Sequence, residues 1–263
     1  MLVIFLKNIL LIDFSRSHDM NKKVLLCSLL LSLPLVVSAA ETIPLWPNGA
    51  PNKSTITEPE TTNDKGAIFN VTNGRLEVNV PKNPNGKAII LIPGGGYGNL
   101  AMGTFNQSFI PYFLDQGFTT FVLKYRLPKG DPAIPLSDSL EAVKIVRSLF
   151  KKYNLHTVGV MGASAGGHLA AMTSVECSSC PDFSVLIYPN ITMMQEESQP
   201  KSSCRNNLIG KDRSVKYDVA YSAYKHVDTK TPPAFLAVSA GDEYAGSLGS
   251  MLYTRAMVEN ARP

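Results

Sequence analysis

Residues 162–166 read Gly-Ala-Ser-Ala-Gly, a Gly-x-Ser-x-Gly run that follows the apolar stretch 157–161 and precedes a helix-forming stretch. In a strand-to-helix turn of this kind the glycines leave room for the sharp bend and the serine hydroxyl is presented above the sheet. Ser164 is therefore a candidate nucleophile for acyl transfer. Such a serine needs donors for the oxyanion, a base, and a carboxylate that orients the base. The run Pro93-Gly94-Gly95-Gly96-Tyr97-Gly98 directly follows apolar residues 88–92. A loop so rich in glycine lets backbone N–H groups approach a developing negative charge with no Cβ in the way. Gly95 and Gly96, with the N–H of Ala165, form the candidate oxyanion hole, and Tyr97 beside them is a candidate substrate contact. The loop lacks the Gly-Lys-Ser/Thr ending of a phosphate-binding loop, so the serine turn downstream favours oxyanion stabilisation.

The elements that must position these groups are legible from residue 76 onward. Residues 76–80 alternate apolar and polar, as a half-exposed edge strand does. Residues 88–92, 119–123, 157–161, 183–187 and 234–239 are more uniformly apolar, which suits strands covered on both faces by helices. Helical patterns occupy 105–116, 137–152, 164–175 and 248–260. The second of these places Leu136, Leu140, Val143, Val146 and Phe150 on one face, and Asp138 with Glu141 resembles a capping box at its start. Alternating strands and helices predict an α/β fold with a mostly parallel central sheet, helices on both faces, and catalytic groups beyond the carboxyl ends of the strands.

With 263 residues, 44% of them hydrophobic and 17% charged, the chain can bury one sizeable core. Residues 1–40 read as an N-terminal extension and secretory signal. Lys22 and Lys23 make a basic start, 24–37 is apolar but interrupted by Pro34, and 37–40 supplies small residues for cleavage. Met20 is a candidate true start. The apolar run is too short for a stable membrane span, so the expected product is exported, to a periplasm or to the cell exterior. Cys27 follows Leu26, which does not suit lipid attachment. Beyond residue 40 the basic and acidic residues nearly balance, which gives no footprint for nucleic acid. Of the four cysteines, Cys177, Cys180 and Cys204 lie after the signal. Cys177 and Cys180 could pair locally, or either could pair with Cys204; no second Cys or His pair at ligand spacing supports a zinc site. No metal or cofactor is expected. Asn52, Asn70 and Asn190 each head an Asn-x-Ser/Thr pattern, a frequency compatible with chance.

Five segments together resemble a known family: residues 43–51 (Ile-Pro-Leu-Trp-Pro-Asn-Gly-Ala-Pro), the Pro93 to Tyr97 loop, Lys124-Tyr125-Arg126-Leu127-Pro128, the stretch from Gly162 to His168, and Thr231-Pro232-Pro233-Ala234-Phe235. They are similar to the secreted bacterial α/β-hydrolases of the esterase/lipase type that include acetylxylan esterase-like and feruloyl esterase-like carbohydrate esterases. The resemblance spans about residues 43–263 and implies the α/β-hydrolase fold in a single domain, here 41–263. It implies the order nucleophile, acid, histidine. Asp242 then matches the acid, with Glu243 as fallback, since it follows the strand run 234–239. The family histidine lies after one more strand, and the chain ends at Pro263. The expectation is thus a domain that is C-terminally incomplete, lacking the last strand and helix and with them the triad histidine.

None of the histidines present fits the base. His18 falls in the leader region. His156 and His226 precede the strands whose far ends carry Ser164 and Asp242, and a six-residue strand rises about 20 Å. His168 follows one helical turn after Ser164, pointing away from the elbow. The expected function is a serine carboxylester hydrolase acting on acylated, foremost acetylated, carbohydrate or small esters through an acyl-enzyme, impaired by the missing base. The alternatives are a non-catalytic hydrolase-fold binding protein or inactive fragment, and a serine peptidase, for which the chain leaves no room for the usual propeller domain.

Overall fold

The computed structural model describes residues 41–198, 202–211 and 214–260. The expected signal at 21–40, Met20 and Cys27 lie outside the described residues. The sheet is built around the apolar runs. Strands β5 (Lys87–Ile92), β7 (Thr119–Lys124), β8 (Thr157–Ala163), β9 (Phe183–Ile187) and β10 (Ala234–Ala237) run parallel to one another. Strands β1 (Glu41–Pro44) and β4 (Arg75–Asn79) complete a seven-stranded sheet in the order β1-β4-β7-β5-β8-β9-β10, with β4 antiparallel to both neighbours. The expected edge at 76–80 is therefore one place in from the edge, because β1 covers it. Its alternation reflects one wet face, with Leu76 and Val78 buried between half-buried residues. A small antiparallel sheet of β2 (Thr61–Thr62), β3 (Ala67–Phe69) and β6 (Leu100–Ala101) sits beside the glycine-rich loop.

At the centre, β5 meets the expectation of burial on both faces. Ala88, Ile89, Ile90, Leu91 and Ile92 are fully buried, and each large side chain among them contributes roughly 1.5–3 kcal/mol by leaving water. The face on which Gly162 points is covered by helices α2 (Ala133–Ser148) and α3 (Ala165–Val175). The opposite face carries α1 (Ile110–Asp115), which extends a π-helical turn, Phe105–Phe109. Helix α4 (Cys204–Ile209), α5 (Val215–Ala220) and α6 (Leu248–Asn260) follow β9 and β10.

Two details differ from the sequence expectation. Helix α2 starts at Ala133, four residues before 137, so Asp138 lies within it, fully buried, and caps nothing. The apolar strands β9 and β10 are also less covered than their composition suggests. A groove of about 500 Å³ opens over Met161, Val185, Ile187 and Phe235, next to Phe109 and Tyr112, and Phe235 is 62% exposed. Among the described residues β10 pairs with β9 alone.

Candidate active site

Ser164 stands between β8 and α3 at φ 55° and ψ −120°. A side chain rarely adopts that backbone, which costs on the order of 1–3 kcal/mol and persists only where the surroundings enforce it. Here they do. A Cβ on Gly162 would sit 2.0 Å from the Gly166 carbonyl oxygen, and one on Gly166 would sit 2.0 Å from that of Ile92, so the turn closes only with glycine at both places. The Ser164 N–H donates to the Ile187 carbonyl at 3.0 Å, tying the elbow to β9.

The glycine-rich loop lies directly against the elbow. The Cβ position of Gly94 is 3.2 Å from Ser164 Cβ, and the Gly94 carbonyl accepts from Ala101 N–H at 2.9 Å. Gly95 has φ 120° and its Cβ position is 2.1 Å from the Asn99 carbonyl oxygen, while its own carbonyl accepts from Gly98 N–H at 3.0 Å. Asn207 Nδ2 donates to the Gly96 carbonyl at 2.8 Å. With these carbonyls engaged, the loop has a set direction. Its N–H groups at Gly95 and Gly96 donate to no other acceptor among the described residues.

Tyr97 is more deeply held than a surface contact. It is 2% exposed and its hydroxyl, turned into the core, lies 2.6 Å from His168 Nδ1, while the residue also lines a cleft beside the loop. The His168 Nε2 lies 2.7 Å from the Tyr221 carbonyl, which can only accept. His168 is therefore the neutral Nε2–H tautomer, and Tyr97 donates to Nδ1. Burial pushes the His168 imidazole down to about 4, against the pull of the Tyr221 carbonyl. One ring nitrogen ties the loop to the helix behind the serine and the other is engaged by the Tyr221 carbonyl, so His168 is not the base for Ser164.

The remaining motif residues brace this arrangement from below. Tyr125 donates its hydroxyl to the Pro93 carbonyl at 3.1 Å. Asp138 accepts from Trp46 Nε1 at 2.6 Å, from the Arg126 backbone N–H at 2.8 Å and from the Arg126 guanidinium at 2.7 Å, the last two out of water. Trp46 and Arg126, which follow β1 and β7, thus meet the buried Asp138 of α2 in one charged network.

The acid side is looser. The Asp242 carboxylate accepts from the N–H groups of Tyr244 and Ala245, both at 2.8 Å, within its own loop. It lies close enough to Tyr188 that its charge, second to burial, raises that phenol. Ser164, Tyr188 and Asp242 all lie past the carboxyl ends of their strands, as such sheets require. Glu243 is exposed. Among the described residues no imidazole joins Asp242 to Ser164. His156 bonds Thr157 Oγ1 at the opposite end of β8, and His226 bonds Glu176 and the Val219 carbonyl.

Asn190 is the residue that sequence reasoning passed over, as the head of a glycosylation pattern. Its Nδ2 donates to Ser164 Oγ at 3.3 Å. The available signal was its place three residues beyond a parallel strand's carboxyl end. A cleft of about 360 Å³ opens beside the loop, lined by Gly98, Leu127, Lys129, Asn206 and Asn207 among others. Among the described residues no cluster of His, Cys, Asp or Glu could hold a metal ion, and no helix is long and apolar enough to cross a membrane. Cys177 and Cys180 form a disulfide, and Cys204 is free and buried.

Comparison with known proteins agrees with this geometry. The chain is 38% identical over 170 residues to an acetylxylan esterase of Xylanibacter ruminicola, covering 62% of this chain and 35% of that one. It therefore spans about a third of that relative's length. The structure resembles the acetyl ester-xyloside bifunctional hydrolase of Caldicellulosiruptor lactoaceticus, with TM-score 0.66, 28% identity, and coverage of 86% and 84% of the two chains. Thermogutta terrifontis esterase 2 shares the fold at TM-score 0.60 and 21% identity, covering 89% and 85%. The BD-FAE family model matches residues 76–253, a span that takes in the serine elbow, the glycine-rich loop and Asp242. The chain belongs to the BD-FAE family, on an α/β-hydrolase fold shared with carboxylic ester hydrolases.

Proposed function

We propose that this chain is a serine carboxylester hydrolase acting on acylated, foremost acetylated, plant-type poly- or oligosaccharides. The observation that carries the reading is Ser164, held at a strained elbow against a loop whose carbonyls are engaged elsewhere. In the first step Ser164 Oγ bonds to the ester carbonyl carbon as its proton passes to water, and the carbonyl π pair moves onto oxygen. The N–H groups of Gly95, Gly96 and Ala165 are suited to receive that charge. Collapse expels the sugar alkoxide, which takes a proton; water then cleaves the acyl-enzyme and restores the serine. The cleft at Lys129, Asn206 and Asn207 offers amide and ammonium groups to a hydroxyl-rich leaving group. The disulfide supports export to an oxidising compartment.

The serine proton needs an acceptor, and none of the described histidines reaches it. We infer slow turnover, since loss of the base in a related triad costs about a millionfold. The chain should therefore label at Ser164 with a fluorophosphonate and hydrolyse an aryl acetate slowly, with added imidazole accelerating the reaction above its effect on Ser164→Ala. Labelling elsewhere, or equal hydrolysis by Ser164→Ala, overturns the reading. The lack of a described base also favours a second reading, an acyl-carbohydrate binder without turnover. Binding of an acetylated xylo-oligosaccharide without labelling at Ser164 selects it.

A further inference from the structure

Asn190 touches the nucleophile, and the surrounding bonds determine which end of its amide does so. The Cys204 N–H donates to Ser202 Oγ at 3.3 Å. That leaves the Ser202 hydroxyl proton to give to Asn190 Oδ1, 3.1 Å away. With Oδ1 occupied as an acceptor, the amide presents its NH₂ end to Ser164 Oγ, at 3.3 Å. The Asn190 backbone N–H donates to the Ser164 carbonyl, also at 3.3 Å, and Asn190 is only 7% exposed. The amide nitrogen that a glycan would need is thus turned inward and engaged, so the Asn190-Ile191-Thr192 pattern is not a modification site in this fold.

An amide N–H cannot take a proton, so Asn190 cannot serve as the base. It can donate into a lone pair of Oγ, leaving the serine proton free to depart in another direction. A donor there favours the charged over the neutral oxygen. We infer that Asn190 is a catalytic residue that sets the direction of Ser164 Oγ and stabilises negative charge on it, with Ser202 as the positioning residue that orients the amide. The same donor serves when Oγ leaves the acyl-enzyme as an alkoxide. This inference rests on Ser164 being the nucleophile.

A fluorophosphonate reports the step without requiring turnover. Ser164 Oγ bonds to phosphorus, the P–F bond breaks, fluoride leaves, and the serine proton passes to water. Labelling rates would be compared across pH 6–9 for the wild type, Asn190→Ala, Asn190→Asp and Ser202→Ala, with thermal unfolding run alongside. Losing a hydrogen bond to a charged group should slow Asn190→Ala by roughly ten- to a hundredfold and shift its rate profile to higher pH. Asn190→Asp should be slower still, because a carboxylate repels the forming alkoxide. Ser202→Ala should fall between the wild type and Asn190→Ala. Folded Asn190→Ala labelling at the wild-type rate with an unshifted profile overturns the inference. Where that variant does not fold, wild-type rates in Asn190→Asp and Ser202→Ala overturn it. A wild type that never labels at Ser164 removes the nucleophile reading itself, a distinct failure.

Discussion

Ser164 and Asp242 follow strands of the same parallel sheet, yet their surroundings are opposite in kind. The serine is reached by bonds from β9, from Asn190 and from helix α3, and it sits on a floor of fully buried strand residues. The aspartate is held by N–H groups two and three residues along its own loop, beyond a strand whose Phe235 is largely in water. The contrast teaches that Ser164 and the glycine-rich loop are over-determined by packing, whereas the position of Asp242 is set locally. Strain such as that at Ser164 can be kept only on the first kind of foundation.

The largest expected effect lies in that foundation. Asp138→Ala removes the carboxylate facing Arg126, leaving a guanidinium buried and uncompensated, and should cost about 3–5 kcal/mol in urea unfolding. A loss under about 1 kcal/mol would mean that the Trp46–Arg126–Asp138 network does not support the elbow side as described. Next comes pH. His168 stays neutral in the folded protein down to about 4, while in the unfolded chain it takes a proton near 6.5. Its contribution is therefore complete above 6.5 and is lost as pH falls toward 4, to a total of about 3 kcal/mol. Thermal scans across that window should show the loss, and His168→Gln should flatten it; an unchanged slope would break the assignment to His168. The smallest effect is expected on the acid side. Asp242→Asn keeps an acceptor for the Tyr244 and Ala245 N–H groups and should change stability by less than about 0.5 kcal/mol, with fluorophosphonate labelling of Ser164 nearly unaltered. A labelling loss of tenfold or more would show that the two regions are coupled after all.

Much of this was legible in the chain. The runs at 88–92, 119–123, 157–161 and 183–187 became central strands because uniformly apolar segments bounded by turns have few other ways to bury themselves. Ser164 was legible because glycine is demanded on both sides of the bend. The hydroxyl of Tyr97 turns inward to His168, which nearness in sequence to the loop could not tell. Asp138 was misread because local pattern matched a cap, while its burial goes with partners outside the helix, Arg126 and the distant Trp46. Asn190 matched a surface motif, and only its place past β9 brings its amide to Ser164 Oγ.

The sequence by itself determined the central parallel strands, the main helices between them, the glycine turn and the glycine-rich loop, since these follow from short-range sterics and from periodicity. Tertiary structure alone decided the tautomer of His168, the inward turn of Tyr97, the direction of the Asn190 amide and the isolation of Asp242. Those depend on which donors and acceptors meet across the fold. Hydrogen-bond partners that are tens of residues apart leave no local pattern to read.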